Sequence, residues 1–380
     1  MYFNKTGEKI VDPITLLKKL ISFQTINPPG NEYELAVYIG GLLEDLGYQA
    51  KYYEFAPKRT TLIARFPGAH QDPICFTGHL DVVSLGETAW TKDPFSGEIE
   101  GDKIFGRGSS DMKAGIAAMI TMAGTLSKEN PALLKNIMFV FTAGEETCCE
   151  GAYHIAGLDD VLDRVKALVV GEPTSNYPLV GHKGSVRFDI TTFGKAAHAS
   201  MPELGDNAIY KAARAIAKLE TFDFKIAPHP LLGKPTLCIG RISGGKNINV
   251  VPDRTCMGVD IRTIPGQSHD GIKALLETTL EPDVAVTLLE EAKSVARNPD
   301  DKWIKLVFSI MEKFLNQKIE PKTAPYFTDA SVLYEALGSP PTILLGPGEA
   351  RMAHSTDEFC HISKIHEIVL AYLEIVKQTV

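Results

Sequence analysis

Residues 73–81 read PICFTGHLD, and this short stretch indicates the fold. Its first half is almost entirely apolar, which is typical of a β-strand buried on both faces. It ends in His79 and Asp81, two polar side chains at the end of an apolar run. Residues two apart on a strand point to the same side, so we expect the Asp81 carboxylate to hold one ring nitrogen of His79. The alternative is a strand-end histidine beside a surface aspartate.

Other runs of the same character follow along the chain, namely NIMFVFTA (136–143), KALVVGE (166–172) and PTILLGPG (341–348). Helical patterns separate them, including the segment from Met112 to Leu126, which is apolar around most of its circumference. Buried strands that alternate with helices predict an α/β fold, in which helices flank both faces of a mostly parallel sheet.

The pattern changes near Gly184, where apolar and polar residues alternate along the strands and two amphipathic helices lie among them. Such segments are typical of a smaller α+β domain with one open sheet face. Buried strands return after about residue 300. We therefore predict a smaller domain at 179–291, inserted into a larger domain formed by 1–178 and 292–380.

Composition limits the classes of partner. The chain has 380 residues, 44% of them hydrophobic, and a net charge of −8. An acidic surface argues against nucleic acid or an anionic membrane as the main partner. The N-terminus lacks a basic segment followed by an apolar run, and no run of about eighteen apolar residues occurs. The six cysteines match neither a disulfide framework nor a zinc knuckle, so we expect mostly buried thiols in a reducing cytoplasm.

Further polar residues follow the predicted strands. GRGSSDMKAG places Asp111 just before the buried helix, where helix capping is the alternative interpretation. MFVFTAGEE ends in Glu145 and Glu146, which a solvated acidic turn would also explain. VVGEPT places Glu172 at another strand end, and AHSTDEF places His354 in a loop after the last strand.

Together, five loops near strand ends deliver histidine or carboxylate side chains. Open α/β sheets bind ligands at the carboxyl ends of their strands. Two histidines and three carboxylates suit two divalent metal ions with one bridging carboxylate. The charges also balance, because three carboxylates and one hydroxide offset two divalent cations. The sequence therefore predicts a two-metal site.

The segments GHLDVV, GRGSSDMKAG, TAGEE, VVGEPT, GKAAHAS and GPGEARMAHSTDE occur in this order along nearly the whole chain. In this respect the chain resembles the acetylornithine deacetylase and succinyl-diaminopimelate desuccinylase family of zinc exopeptidases. The resemblance implies a catalytic domain with an inserted lid domain that also forms a homodimer interface. It implies two zinc ions, although the same ligands accept cobalt or manganese.

The resemblance also implies which residues bind the metal ions. Asp111 would bridge the two ions. The remaining ligands would pair as His79 with Glu172 and as Glu146 with His354.

Further roles follow from the resemblance by position. Glu145 would be the general base, and Asp81 would orient the ligand histidine beside it. In the lid, His198 would stabilise the oxyanion and Asn249 would lie near the substrate. Arg262 would grip a substrate carboxylate, a task that the guanidinium fork suits. An ordinary loop histidine and an exposed strand arginine are the alternatives in the lid.

Two features bear on the substrate. In the family, a glutamate at the position of Glu172 is more frequent in deacylases and carboxypeptidases than in aminopeptidases and dipeptidases, which favours an N-acyl amino acid. The loop Thr328-Asp329-Ala330 differs from the runs usual in desuccinylases and acetylornithine deacetylases, although Thr328 stays a candidate for substrate contact. We therefore predict an N-acyl-amino-acid deacylase of acetyl or succinyl type. A metallo-carboxypeptidase or dipeptidase is the alternative, and a non-catalytic metal- or peptide-binding protein is a more remote one.

Overall fold

The computed structural model describes residues 2–3, 9–10, 12–68, 72–280 and 284–379. Its strands are, in chain order, β1 (Tyr2–Phe3), β2 (Lys9–Ile10), β3 (Gln49–Ala56), β4 (Arg59–Arg65), β5 (Ile74–His79), β6 (Ile99–Glu100), β7 (Lys103–Phe105), β8 (Ile137–Thr142), β9 (Ala167–Val170), β10 (Gly181–His182), β11 (Gly184–Phe193), β12 (Thr236–Gly244), β13 (Arg254–Thr263), β14 (Val284–Ala292), β15 (Val295–Ala296), β16 (Thr342–Leu344) and β17 (Phe359–His361). Its helices are α1 (Pro13–Ile21), α2 (Tyr33–Glu44), α3 (Lys113–Glu129), α4 (Glu150–Ala156), α5 (Ala208–Glu220), α6 (His269–Thr279), α7 (Lys302–Leu315), α8 (Ala330–Ala336) and α9 (Ile362–Thr379).

The chain forms two compact units. The first unit comprises Met1–Gly181, Arg297–Lys322 and Thr328–Val380, and the second unit comprises His182–Ala296 and Thr323–Phe327. The inserted unit therefore begins and ends a few residues later than the predicted limits of 179 and 291. The short segment 323–327 also belongs to the second unit. It was not predicted there, because a few residues without a helix or strand pattern give no indication of the unit that they contact.

A six-stranded sheet lies in the first unit, with the strand order β16-β9-β5-β8-β4-β3. Strands β16, β9, β5 and β8 run parallel, whereas β4 and β3 pair antiparallel. Every residue of β5 and of β8 is buried, as expected for central strands that are covered on both faces. Helix α3 packs on β5 and helix α2 packs on β4. The sheet is therefore the predicted α/β sheet, extended by an antiparallel pair.

Helix α3 approaches the end of strand β9 closely because a glycine faces it. A Cβ atom on Gly115 would lie 2.3 Å from the carbonyl oxygen of Gly171, which is closer than real contacts allow. Gly171 directly precedes Glu172, and α3 begins two residues after Asp111. The packing of one helix thus fixes where two of the predicted metal ligands emerge.

The second unit contains a four-stranded antiparallel sheet with the order β12-β13-β11-β14. Apolar residues of β11 and β13 form a core with α5 and α6, including Phe188, Met257, Ala212 and Leu276. Buried and partly buried residues alternate along β13, while most residues of the edge strand β12 are exposed. This is the α+β arrangement that the alternating pattern predicts.

Two further features concern the longer helices and the cysteines. Among the residues that the structure describes, no helix combines the length and apolar character needed to cross a membrane. All six cysteines are free thiols, and four of them are buried, in agreement with the prediction of mostly buried thiols.

Candidate metal centre

The predicted ligands emerge from loops at one edge of the parallel sheet. His79 is the last residue of β5, Glu146 follows the end of β8, and Glu172 follows the end of β9. His354 lies in the loop between β16 and β17, and Asp111 lies just before α3. Because the carboxyl ends of parallel strands meet at one edge, this topology gathers residues that are far apart in the sequence.

The five side chains form two groups that share one member. The ligand atoms of His79, Asp111 and Glu172 lie within 4.8 Å of one another, and so do those of Asp111, Glu146 and His354. The Nε2 atom of His79 is 3.0 Å from Oδ1 of Asp111. The Nε2 atom of His354 is 3.1 Å from Oε1 of Glu146. Asp111 therefore occupies the shared position that suits a bridging carboxylate.

The charges of this cluster are costly to bury without a cation. Burial raises the pKa of Glu145 and of Glu172 well above the usual value, and neighbouring carboxylates raise both further. Burial also raises the pKa of Glu146. For His79, burial acts to lower the pKa, but the hydrogen bond to Asp111 and its charge outweigh this effect and hold the pKa well above its usual value. Such a set of two imidazoles and several crowded carboxylates fits a pair of divalent cations.

Glu145 lies beside the two ligand groups. Among the residues that the structure describes, it belongs to neither group, and its side chain is only 6% exposed. Burial first, and then the charges of Glu172, Glu146 and Asp329, raise the pKa of Glu145 well above its usual value, which makes its carboxylate a stronger base. Glu145 is therefore a buried carboxyl group that lies beside both ligand groups and is a member of neither.

Asp81 contacts its neighbours in a way that differs from the prediction. The Nδ1 atom of His79 donates to the backbone carbonyl oxygen of Asp81 at 2.9 Å and lies 3.7 Å from the carboxylate. The carboxylate instead accepts hydrogen bonds from the backbone N–H groups of Gly144, Glu145 and Glu146, at 3.0, 3.1 and 3.2 Å. The predicted hydrogen bond between the carboxylate and His79 is therefore wrong. The backbone of the same residue makes that contact, because the strand ends there and its carbonyl is free to accept.

Two buried polar residues near the centre were not predicted. The Nδ2 atom of Asn27 donates to Oδ2 of Asp81 at 2.9 Å and to Oγ1 of Thr147 at 2.8 Å. Asp329 is buried at the start of α8, where the hydroxyl of Thr142 donates to it, and burial raises its pKa to about 6. A carboxylate in front of the apolar run ASVL could have indicated Asp329, whereas no pattern marks Asn27.

The predicted substrate contacts from the lid lie in the second unit. The Nδ1 atom of His198 accepts from the backbone N–H of Ser200 at 3.1 Å, which leaves the ring proton on Nε2. The backbone carbonyl of Asn249 accepts from the N–H of Ala199 at 3.0 Å, so Asn249 pairs with the loop of His198.

The other two residues predicted to contact the substrate, Arg262 and Thr328, form hydrogen bonds within their own units. The Nε and Nη2 atoms of Arg262 donate to the carboxylate of Asp260, at 2.8 and 3.3 Å. One edge of its guanidinium fork is therefore occupied. Thr328 lies in the first unit with its side chain buried, and its hydroxyl oxygen accepts from the N–H of Ala330 at 3.1 Å. This contact makes Thr328 part of the start of α8.

Comparison with known proteins places the chain in a family. The model of peptidase family M20/M25/M40 matches residues 75–378. This chain belongs to that family. It is 30% identical to a protein of Staphylococcus epidermidis named "Probable succinyl-diaminopimelate desuccinylase", over 96% of each chain. The chain is accordingly a metal-dependent hydrolase that acts on amide bonds, as the sequence predicts.

Solved structures show the same fold. An M20 family metallo-carboxypeptidase from Sulfolobus solfataricus matches with a TM-score of 0.80 and 18% identity, over 97% of this chain and 99% of the other. A dinuclear metal-binding M20 peptidase from Bacillus subtilis matches with a TM-score of 0.69 and 17% identity, over 96% of each chain. At these identities the likeness concerns the fold.

Proposed function

We propose that this hydrolase removes an acyl group of the acetyl or succinyl type from an N-acyl amino acid, releasing a carboxylic acid and a free amino acid. The observation that carries the proposal is the pair of ligand groups that share Asp111, next to the buried carboxyl group of Glu145. The 30% identity to a relative named as a desuccinylase supports an acyl substrate. The glutamate at position 172 supports a deacylase or a carboxypeptidase over an aminopeptidase or a dipeptidase.

The proposed metal ions are two Zn²⁺ ions. One would be held by His79, Asp111 and Glu172, and the other by Asp111, Glu146 and His354. Imidazole and carboxylate donors suit zinc and also accept Co²⁺ or Mn²⁺. When bound, the ions would polarise the amide carbonyl and lower the pKa of a water molecule.

The protein's own contribution to the reaction is proton transfer by Glu145. Its carboxylate takes a proton from the attacking water and passes it to the leaving nitrogen. The raised pKa supports the first transfer, because a carboxylate with a raised pKa is a stronger base than the carboxylate of an ordinary glutamate. Asp81 supports this role because its carboxylate holds the backbone of the turn that carries Glu145.

The proposed substrate contacts rest on the motifs together with their local geometry. His198 would stabilise the oxyanion, because the proton on its Nε2 atom can be donated. Arg262 would bind a substrate carboxylate through its Nη1 and Nη2 atoms, because its Nε edge faces Asp260. Asn249 would lie near the substrate. A substrate contact by Thr328 is proposed from the motif alone, since its side chain is fully buried.

We also propose a homodimer that forms through the second unit, and a cytoplasmic location to which the free thiols are suited. Large apolar side chains are exposed on and near α5 and β12, namely Met201, Leu204, Ile209, Tyr210, Ile242 and Ile248. Strand β12 lies at an edge of its sheet. Unpaired N–H and C=O groups along such an edge favour pairing with a second strand, and exposed apolar side chains favour burial by a partner.

A metallo-carboxypeptidase or dipeptidase is the second candidate. The observation that favours it is the run Thr328-Asp329-Ala330, which differs from the runs usual in the two deacylase branches. Such an enzyme would release two amino acids instead of an acid and an amino acid.

A substrate panel separates the two candidates. The protein, purified with Zn²⁺, is assayed for release of free amino acid from N-acetyl and N-succinyl amino acids and from dipeptides with the same C-terminal residues. We expect the best acyl substrate to exceed every dipeptide by about tenfold or more in kcat/KM. The Glu145→Ala variant is the control for contaminating hydrolases. Turnover of dipeptides with no turnover of acyl substrates would assign the chain to the peptidase branch.

A further inference from the structure

A buried ion pair joins the loop that carries Asp111 to the loop that carries His354. The Nη1 atom of Arg107 lies 2.7 Å from Oε2 of Glu358, and the two side chains are 1% and 0% exposed. Arg107 lies four residues before Asp111, and Glu358 lies four residues after His354. The pair therefore connects two loops that each supply a proposed metal ligand.

The carboxylate of Glu358 is surrounded by donors from the Asp111 loop. Its Oε2 atom also accepts from the backbone N–H of Gly108 at 3.1 Å. Its Oε1 atom accepts from the backbone N–H groups of Ser110 at 2.7 Å and of Asp111 at 3.0 Å. Hydrogen bonds to a charged acceptor are stronger than neutral ones, so this carboxylate fixes the course of the loop, including the backbone of Asp111 itself.

Arg107 extends the connection to the second loop. Its Nη2 atom donates to the carbonyl oxygens of Ser84 at 3.0 Å and of His354 at 3.4 Å. The centre of its guanidinium lies 5.1 Å from the ring centroid of Trp90, within the range of a cation–π contact. One planar side chain thus contacts Glu358 and the backbone of a proposed ligand at the same time.

Stability alone does not account for this pair. Removing two charges from water costs about as much as their attraction returns, and apolar side chains of similar volume fill such a space at least as well. A carboxylate and a guanidinium, however, can bind several backbone groups in fixed directions, which apolar side chains cannot do. The contacts made by Arg107 and Glu358 converge on the backbone of Asp111 and His354.

We propose that Arg107 and Glu358 are positioning residues of the metal centre, a role that rests on the proposed two-metal function. Acting through Asp111 and His354, they hold two ligands from distant parts of the chain in the arrangement that binds metal. Their loss weakens metal binding and lowers activity at limiting metal, while KM for the substrate stays unchanged.

The test measures the Zn²⁺ affinity of the full chain by competition with a chromogenic chelator, with circular dichroism to verify folding. Glu358→Gln keeps the shape of the side chain but turns an NH₂ group towards backbone donors. Arg107→Lys keeps the charge but loses the planar fork, and it decides the outcome if Glu358→Gln does not fold. Leu43→Ala is the control, because it removes a fully buried side chain from α2 and leaves both loops intact.

We expect Zn²⁺ binding to weaken by about 10–100-fold in both variants and to be unchanged in Leu43→Ala. The Zn²⁺ concentration that gives half-maximal kcat should rise by the same factor. A folded Arg107→Lys protein with parental Zn²⁺ affinity would overturn the proposal and leave the pair with a purely structural role. A parent protein that binds no Zn²⁺ would overturn the proposed function itself, so the two failures are distinguishable.

Discussion

Asp81 contacts the centre through both its backbone and its side chain. The backbone carbonyl accepts from the ring of His79, and the carboxylate accepts from three successive backbone N–H groups that end at Glu146. Asn27, which lies 54 residues earlier in the chain, donates to the same carboxylate. One residue therefore sets the orientation of a proposed ligand and the position of the turn that carries Glu145.

Replacing Asp81 by asparagine tests the contacts of the carboxylate and leaves the backbone contact with His79 in place. The substitution keeps the size of the side chain but places an NH₂ group against backbone donors. We expect kcat to fall by about 10–100-fold. The free energy of unfolding should fall by about 1–3 kcal/mol, because buried N–H groups lose an acceptor. Product release and urea unfolding measure the two quantities.

The matched control is Asp12→Asn. Asp12 also accepts from a backbone N–H, that of Thr15 at 2.8 Å, but it does so at the exposed start of α1. Asparagine caps a helix about as well as aspartate does, so we expect a small change in stability and no change in kcat. A parental kcat in Asp81→Asn would contradict the role that we assign to this carboxylate.

The buried side chain of His182 should make the free energy of unfolding depend on pH. Its Nδ1 atom donates to the carbonyl of Lys183 at 2.8 Å, and burial lowers its pKa from 6.5 to about 4. Between these two values the unfolded chain binds a proton that the folded chain excludes. The free energy of unfolding therefore falls as the pH falls through this window, by roughly 3 kcal/mol from this residue.

Urea unfolding at several pH values between 7 and 4 measures this effect. The parent is compared with His182→Gln, which cannot titrate, so that the other ionisable groups cancel in the difference between the two proteins. We expect the parent to lose roughly 3 kcal/mol more than the variant across this range. Parallel stability curves for the two proteins would show that the pKa of His182 is not lowered.

At the level of elements, the contact between α3 and strand β9 decides where Glu172 emerges. A Cβ atom on Gly115 would lie 2.3 Å from the carbonyl oxygen of Gly171. We expect Gly115→Ala to displace the helix or the turn, to lower the free energy of unfolding by about 1–3 kcal/mol, and to weaken Zn²⁺ binding. Chelator competition and urea unfolding are the measurements.

Gly41→Ala in α2 is the control for this substitution. A Cβ atom on Gly41 meets nothing within 4 Å, so alanine should stabilise the helix by about 0.5–1 kcal/mol and leave Zn²⁺ binding unchanged. If both variants behaved alike, the close approach of α3 to β9 would not be important for the centre.

The sequence predicts best those elements that are buried on all sides, because they appear in the sequence as continuous apolar runs. Strands β5, β8 and β9 and helix α3 were all predicted on this basis, and they position most of the candidate site. Strand order was not predicted, because an apolar run reports burial and does not identify the neighbouring strand. The antiparallel pairing of β4 with β8 is an example.

Within the candidate site, sequence motifs mark the positions of the proposed metal ligands. Their partners are harder to predict. The contact between Arg107 and Glu358 spans 251 residues, and the carboxylate of Asp81 binds a turn that lies more than sixty residues further along the chain. Such hydrogen bonds depend on the tertiary arrangement of backbone groups, which no local pattern records.

At the level of the whole molecule, we expect a homodimer that depends on the second unit. Light scattering of the parent should give twice the 41.5 kDa mass of one chain. Ile242→Lys places a charge on the exposed edge strand β12 and should shift the protein towards the monomer. Ile99→Lys, at an equally exposed position in the first unit, is the control and should leave the dimer intact. A dimer that tolerates Ile242→Lys would place the interface elsewhere.

The central claim is that Glu145 transfers the proton and is not a metal ligand, so that two metal ions bind without it. The direct test is to measure metal content and amide hydrolysis on the same preparations of the parent and of Glu145→Gln. We predict two Zn²⁺ ions per chain in both proteins, and a kcat that is lower by about 10²–10⁴-fold in the variant. A variant with parental kcat, or a fully active parent with fewer than two ions per chain, would contradict the account.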